Sequence, residues 1–451
     1  MLKRKITNVI EKWFNESDSA LLIDGARQIG KTTTIREFLK NTNKKFIELN
    51  LIENKLALEA FNTAKDSKDL MLKISALSNV KLVKNETIIF IDEIQEANDA
   101  ISPIKFLVQN TKFKFIFSGS LLGVKIQEIL SIPIGFLKIV QMYPMDFEEF
   151  ILAIGISERI LQHLKECYNN LAKIDPIVHK QLMNLFYTYL VVGGMPKAVA
   201  TFIETNNMTK VNEILKQIDL GYAQDITKYE KMNKLLIKDI YNLIPSELNS
   251  QNKRFILKNL NEKARFYKYE TSFTWLKHSD VGLFVHNVDN PVYPLLASKE
   301  RTLFKLFLSD VGLLTYKIFN GHQIQILNGD TSKNNYGAIC ESFVAQELKA
   351  HNYELYFHSN KKRGEIDFLI EELNEVIPIE VKSGKDYKRH SALNNLLSDK
   401  SFDIKKGIVF CNENIEQIGK IIYLPIYMTM FVQPKQYEQD QFVNINISEL
   451  I

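Results

Sequence analysis

Lys31, Asp92 and Glu93 are the residues whose types and neighbours point most directly to chemistry. Gly25-Ala26-Arg27-Gln28-Ile29-Gly30-Lys31-Thr32 fits G-x-x-x-x-G-K-[ST], a loop whose backbone N–H groups cradle phosphates. Gly25 and Gly30 allow that approach because they carry no Cβ. Lys31 would bridge β- and γ-phosphates, and the Thr32 hydroxyl would hold Mg²⁺. Ala26, Arg27, Gln28, Ile29 and Thr33 complete the nucleotide-contacting set. Further on, Thr87-Ile88-Ile89-Phe90-Ile91-Asp92-Glu93 is an apolar run ending in two carboxylates. Asp92 would hold the Mg²⁺ shell through water, and Glu93 would orient and activate the attacking water. That division suits hydrolysis better than phosphoryl transfer to a metabolite. The alternative for the pair is to cap a following helix.

Phosphate binding needs a strand, a loop and a helix in succession, so that loop amides and the helix N-terminus converge on one anion. Ala20-Leu21-Leu22-Ile23 supplies the strand and Thr32 to Leu39 the helix. Lys45 to Leu49, the Asp92 run, Phe113 to Ser118 and Lys138 to Met142 read as further strands separated by helical stretches. The pattern predicts an α/β fold with a doubly wound parallel sheet. Ser118, in Ser118-Gly119-Ser120, would lie beside the phosphates if its strand neighbours the loop strand; otherwise it marks an ordinary glycine turn.

From Pro144 onward the periodicity is helical, broken by Gly193-Gly194-Met195-Pro196, and a lid over the nucleotide is expected. Leu235 to Leu248, Lys253 to Leu260 and Tyr269 to Lys277 read as helices followed by the strand Gly282 to Val288. Helices followed by a short hairpin suit a winged helix. Lys253, Arg254, Lys258, Lys263, Arg265 and Lys268, with Phe266 and Tyr267 among them, make a local basic and aromatic stretch. It is either a nucleic-acid contact or a solvated face. Near the C-terminus, Asp367 and Glu380-Val381-Lys382 lie on an expected hairpin, and Glu341 on a preceding helix. Glu380 and Lys382 share one strand face. Glu341, Asp367 and Glu380 could hold Mg²⁺ through oxygen, with Lys382 positioning a water to attack a phosphodiester. This spacing resembles the PD-(D/E)XK nuclease superfamily. The alternative is a relic fold whose charges satisfy each other.

At 451 residues, two to four domains are expected. The boundaries read as 1–145 for the nucleotide-binding core, 146–230 for the helical lid, 231–305 for the winged-helix segment and 306–451 for the nuclease-like domain. A formal net charge of +4 is too small to demand a nucleic-acid partner. Cys167, Cys340 and Cys411 form no C-x-x-C pair, so neither disulfide framework nor zinc knuckle is suggested. No apolar run is long enough to span a membrane, and a cytoplasmic location with no membrane partner is expected.

The whole succession resembles the prokaryotic AAA-family ATPases that carry a C-terminal domain of unknown function. The likeness runs through Leu22 to Thr32, Phe90 to Gln95, Ser118 to Gly123 and Tyr143 to Phe150. It continues through Gly193 to Pro196 and Asp310 to Leu314 to Ile379-Glu380-Val381-Lys382-Ser383-Gly384. It implies an AAA+-type P-loop NTPase module with ATP and Mg²⁺ as cofactors, a winged-helix segment and a restriction-endonuclease-like C-terminal domain. DNA or RNA is the candidate macromolecular partner, and a homo-oligomer stays open. After Ile132-Pro133-Ile134-Gly135, where relatives often carry a basic residue, this chain has Phe136, with Lys138 the nearest substitute. Arg159 is a candidate arginine for a neighbouring subunit's γ-phosphate, against a plain surface charge. The leading expectation is an ATPase whose C-terminal half engages nucleic acid. The alternatives are a nucleotide-gated regulatory or binding protein with an inactive nuclease-like domain, and a small-molecule kinase.

Overall fold

A computed structural model describes residues 2–97, 104–120, 135–229, 234–328 and 336–435. The expected segments Leu121-Leu122-Gly123 and Ile132-Pro133-Ile134 lie outside the described residues. The N-terminal sheet consists of β1 (Ala20–Asp24), β2 (Lys45–Asn50), β3 (Thr87–Asp92), β4 (Lys114–Ser118) and β5 (Leu137–Gln141), in the order β2-β3-β4-β1-β5. Every pairing in it is parallel, so both faces need helical cover. Successive side chains on a strand point to opposite faces, and the core divides accordingly. Leu21, Ile23, Phe90 and Ile116 pack with Trp13 of the helix Ile6–Glu16 and Phe38 of the helix Lys31–Asn41. Leu22, Ile89, Ile91, Phe115 and Phe117 pack on the other side with Phe61, Leu70, Ile74 and Leu107. Each such burial contributes about 1.5–3 kcal/mol. The parallel α/β sheet expected from the strand spacing is therefore present, and its carboxyl edge carries Asp24, Asp92 and Ser118.

The helical region follows. The helix Phe147–Ile154 starts with a capping box, in which Asp146 accepts from the Glu149 N–H and Glu149 accepts from the Asp146 N–H. Pro176–Val192 begins with Pro at its first turn under an Asp175 cap, and Gly193 (φ 75°) ends it. Pro196–Thr205 and Met208–Tyr229 come next. Two glycine motifs singled out in the sequence meet in space. A Cβ on Gly194 would lie 2.0 Å from the Met145 carbonyl oxygen, and one on Gly312 would lie 2.5 Å from Gly193 Cα. Asp310 closes the junction, accepting from the Gly194 N–H at 2.6 Å and the Leu313 N–H at 2.8 Å. Only glycine fits so close an approach of two backbones.

The second sheet is mixed and holds β6 (Gly282–Val288), β7 (Lys299–Leu308), β8 (Tyr356–Asn360), β9 (Gly364–Glu372), β10 (Glu375–Val381), β11 (Gly407–Cys411), β12 (Glu416–Ile418) and β13 (Ile421–Pro425). Their order is β12-β13-β11-β10-β9-β8-β6-β7. β9 and β10 form the expected hairpin, with Ile379 opposite Phe368. The winged-helix expectation is corrected in two respects. Lys253 to Leu260 holds only a 3-10 turn, Leu257–Asn259. The hairpin β6–β7 is no free wing, because β6 also pairs in parallel with β8. Backbone groups of an isolated two-stranded ribbon gain little, whereas joining the larger sheet satisfies one edge. β7 also runs across the expected boundary between residues 305 and 306. Among the described residues no helix is long and apolar enough to cross a membrane.

Candidate functional site at the phosphate loop

The loop between β1 and the helix Lys31–Asn41 has the backbone that its glycines were expected to permit. Gly25 (φ 146°), Gln28 (φ 65°) and Gly30 (φ 93°) all adopt positive φ. A Cβ on Gly25 would lie 2.3 Å from the Met142 carbonyl oxygen, just beyond β5. Lys31 is buried, and its ammonium donates to the carbonyl oxygens of Gly25 at 2.8 Å and Ala26 at 2.7 Å. Burial lowers its pKa, while Asp24, Glu93, Asp280 and Asp92 pull the other way. The ammonium is held at the loop by neutral carbonyl oxygens that a polyanion could replace. Thr33 sits exposed in the first helical turn.

Asp92 gathers the polar groups around it. Thr32 Oγ1 donates to its carboxylate oxygens at 3.0 and 3.2 Å, Asn50 Nδ2 at 3.0 Å, and Ser118 Oγ also donates to it. Register explains the convergence, since Asn50 lies opposite Asp92 and Ser118 opposite Ile23 of the loop strand. The strand of Ser118 does neighbour the loop strand, and its hydroxyl is turned to Asp92. Thr32 and Asp92 form the all-oxygen donor set that Mg²⁺ prefers, so these residues fit the ion. Asn50 was not singled out in the sequence; its place at the end of a strand adjoining β3 was the available signal.

Glu93 stands immediately after β3 with φ 56° and ψ 45°, a left-handed conformation that costs a non-glycine residue roughly 1–3 kcal/mol. Its carboxylate meets Gln95, whose Nε2 donates to Glu93 Oε2 at 2.5 Å. The Asp92–Glu93 pair does not cap an α-helix; a single 3-10 turn, Ile94–Glu96, follows it. Arg4 and Asp280 escaped the sequence reading, as did the partners of Arg27. Arg4 is buried and bonds the Ile29 carbonyl at 2.7 Å, the Tyr143 carbonyl at 2.6 Å and Glu149 at 3.0 Å, tying the loop to the N-terminus. Arg27 reaches Asp225 of Met208–Tyr229 at 2.5 Å, and the Tyr222 hydroxyl donates to the Arg27 carbonyl at 3.2 Å. Asp280, half-buried and bonded by Gln141, has its pKa pushed up to about 8 by desolvation and by Asp24. Phe136 and Lys138 lie on or beside edge strand β5, with Phe136 beneath the Lys105 ammonium and Lys138 exposed. Arg159 is exposed on the helix Glu158–Asn170.

The C-terminal acids do converge, but on lysines. Lys305 of β7 is wholly buried and its ammonium lies 3.4 Å from Glu341 Oε2, 2.9 Å from Glu365 Oε1 and 3.8 Å from Asp367 Oδ1. Lys253 pairs with the other oxygen of Glu341, Lys382 with Glu380 at 3.1 Å, and Arg254 with Glu365 at 2.7 Å. Burial alone would lower the Lys305 pKa, yet Glu341, Asp367 and Glu365 outweigh it and raise it above its ordinary value. Glu380 is pushed up to about 8 by burial and then by Asp367. Among the described residues no group of three or more His, Cys, Asp or Glu side chains is arranged to hold a metal ion. The arrangement differs from the Mg²⁺ site expected of Glu341, Asp367 and Glu380, and these residues do not fit the ion as they stand. The reason is Lys305, an apparently ordinary strand lysine in the sequence, which puts a fixed cation among the carboxylates.

The basic stretch is divided in the same way. Lys253 and Arg254 turn inward to the acids, whereas Lys258, Lys263, Arg265, Lys268 and Tyr267 are exposed.

In comparison with known families, residues 17–151 match an AAA domain. Residues 183–323 match a domain of unknown function (DUF8612), and residues 336–428 match another (DUF4143). No curated protein matches the chain significantly. Among solved structures, the Walker-type ATPase PABY2304 of Pyrococcus abyssi is similar at 14% identity, covering 70% of this chain and 96% of that one with a TM-score of 0.43. The Thermotoga maritima RuvB Holliday junction branch migration motor is similar at 13% identity, covering 62% and 87% with a TM-score of 0.29. With overlaps this low, neither structure carries an argument here, and the AAA-domain match stands beside the loop geometry.

Proposed function

We propose that the AAA domain of this chain is a Mg²⁺-dependent ATPase whose hydrolysis drives the C-terminal half. The observation that carries the reading is the shared carboxyl edge of β1 and β3, where a buried Lys31 faces Asp92 with Thr32 bonded to it and Glu93 next in sequence. Lys31 would exchange its two carbonyl partners for β- and γ-phosphate oxygens. Mg²⁺, when bound with the nucleotide, neutralises charge on those phosphates. Thr32 and Asp92 would hold it, with Asn50 and Ser118 keeping the Asp92 carboxylate in place. Glu93 would accept a proton from the attacking water. The backbone amides of Ala26 to Lys31 would cradle the phosphates, and Gln28 and Thr33 would border the bound nucleotide. Coupling would run through the helix Met208–Tyr229, because Asp225 bonds Arg27 while Asp219 bonds Tyr241 and Lys317 at 2.7 Å each. Exposed Lys258, Lys263, Arg265 and Lys268 around Tyr267 support DNA or RNA as the macromolecule engaged. Thermal stabilisation by ATP with Mg²⁺ tests the site. The parent should be stabilised and Lys31→Ala should not; equal stabilisation of both would refute the phosphate-loop reading.

A second reading concerns the C-terminal domain alone. The Lys305 ammonium among Glu341, Glu365 and Asp367 favours a closed ionic cluster that organises a binding domain over a metal-dependent nuclease. On this reading Lys382 and Glu380 are structural, and the domain engages its partner without cutting it. Cleavage of DNA or RNA with Mn²⁺ by the parent, lost in identically purified Asp367→Ala, would overturn it.

A further inference from the structure

Glu93 is held by Gln95, and from Gln95 a chain of hydrogen bonds runs through Ser120 and Arg27 of the phosphate loop to the helix Met208–Tyr229. Gln95 is almost wholly buried in the 3-10 turn after β3. Its amide is fixed at both ends. The oxygen accepts from the Ser120 N–H at 3.2 Å, so the nitrogen must face Glu93, to which it donates at 2.5 Å; Ser120 Oγ lies 3.5 Å from the same nitrogen. A reversed amide would set an oxygen lone pair against a carboxylate and an NH₂ against an N–H, two repulsive contacts. Ser120 Oγ accepts from Arg27 Nε at 3.2 Å, and Arg27 pairs with buried Asp225 at 2.5 Å. Glu93, Gln95, Ser120, Arg27 and Asp225 are therefore linked in sequence by direct hydrogen bonds from β3 to the helix Met208–Tyr229.

We infer that Gln95 is the positioning residue for hydrolysis. It binds one carboxylate oxygen of Glu93, leaves the other to face the attacking water, and through Ser120 and Arg27 sets that geometry according to where the helix Met208–Tyr229 sits. The inference rests on the reading of Glu93 as the water-activating base. A base must lie within hydrogen-bond reach of the proton it takes, and misplacement by about 1 Å can cost on the order of 10²-fold in rate. Gln95 touches neither phosphate nor water in this account. Its removal should therefore slow turnover and leave ATP binding alone. Arg27 belongs to the loop itself, so arrival of the nucleotide and movement of the helix act on the same side chain.

The test is steady-state ATP hydrolysis by the full chain, with ATP affinity measured separately. Gln95→Ala should lower kcat by roughly 10- to 100-fold with the ATP dissociation constant within about threefold of the parent. Gln95→Glu should be as slow at neutral pH, where two carboxylates face each other. Its rate relative to the parent should recover as pH falls and one of them takes up a proton that can be donated to the other. A merely structural residue would show no such pH-dependent recovery. Asp225→Asn should lower kcat by a smaller factor, and its effect should vanish in the Gln95→Ala background if the two act through one chain. Parent-like kcat in Gln95→Ala, with Glu93→Gln inactive, would overturn the inference while sparing the base assignment. Parent-like kcat in Glu93→Gln would instead remove the base assignment. Full additivity of Asp225→Asn and Gln95→Ala would sever the link to the helix.

Discussion

Replacing Lys305 by methionine would remove a buried cation while nearly conserving its volume. The side chain is inaccessible to solvent and its ammonium is within 4 Å of Glu341, Glu365 and Asp367, at 3.4, 2.9 and 3.8 Å. Breaking a buried ion pair by deleting one partner typically costs about 3–5 kcal/mol, because the remaining charge stays buried without compensation. Here the loss is shared. Glu341 keeps Lys253, Glu365 keeps Arg254, and Asp367 keeps the Val381 N–H at 2.9 Å. The lower end, about 3 kcal/mol, is therefore expected, and for a chain of 451 residues, at about 1 °C per kcal/mol, the melting temperature should fall by roughly 3 °C. Removing a charge from the other side should restore part of the loss, so Lys305→Met with Glu341→Gln should regain about half of it. Thermal unfolding of the four proteins completes the cycle. A fall of less than about 1 °C, under 1 kcal/mol on that scale, would refute the view that Lys305 is the cation around which the cluster is built. So would a double variant no better than the single.

Other consequences follow from the same geometry. Gly194→Ala should destabilise the protein by at least about 1–3 kcal/mol by chemical denaturation, since its Cβ would overlap the Met145 carbonyl oxygen at 2.0 Å. Glu380 carries a folded-state pKa of about 8 against an ordinary 4.5, so the folded protein holds the extra proton between those values. Its contribution is full below pH 4.5 and is lost as pH rises toward 8. Glu380→Gln should therefore flatten the decline in melting temperature across that window, and an unchanged decline would show that another group titrates there. The parent should not cleave DNA or RNA with Mn²⁺, whereas metal-dependent cleavage abolished by Asp367→Ala would restore the metal-site reading.

The parallel sheet and the phosphate loop were legible because each depends on local sequence. Apolar runs fix strands buried on both faces, and Gly25, Gly30 and Lys31 sit at the phosphate-loop spacing between a strand and a helix. The pairing of Gly193-Gly194 with Asp310-Val311-Gly312 was visible as two motifs, but not as one contact, since nothing local joins residues so far apart. The hairpin β6–β7 was misplaced for a related reason. An alternating apolar pattern gives a strand without naming its neighbour, and the pairing of His286 with Tyr356 is non-local. Lys305 and Arg4 were invisible as site residues because a basic side chain in a strand or before a helix reads as solvated. Their burial follows only once acids from distant segments surround them.

ATP turnover by the parent and by Glu93→Gln, measured side by side with Mg²⁺ at saturating ATP, tests the central claim most directly. The parent should hydrolyse ATP steadily and Glu93→Gln should lose on the order of 10²-fold or more in rate, with ATP still bound. Equal turnover by the two proteins, or none by the parent although ATP binds, would contradict that claim.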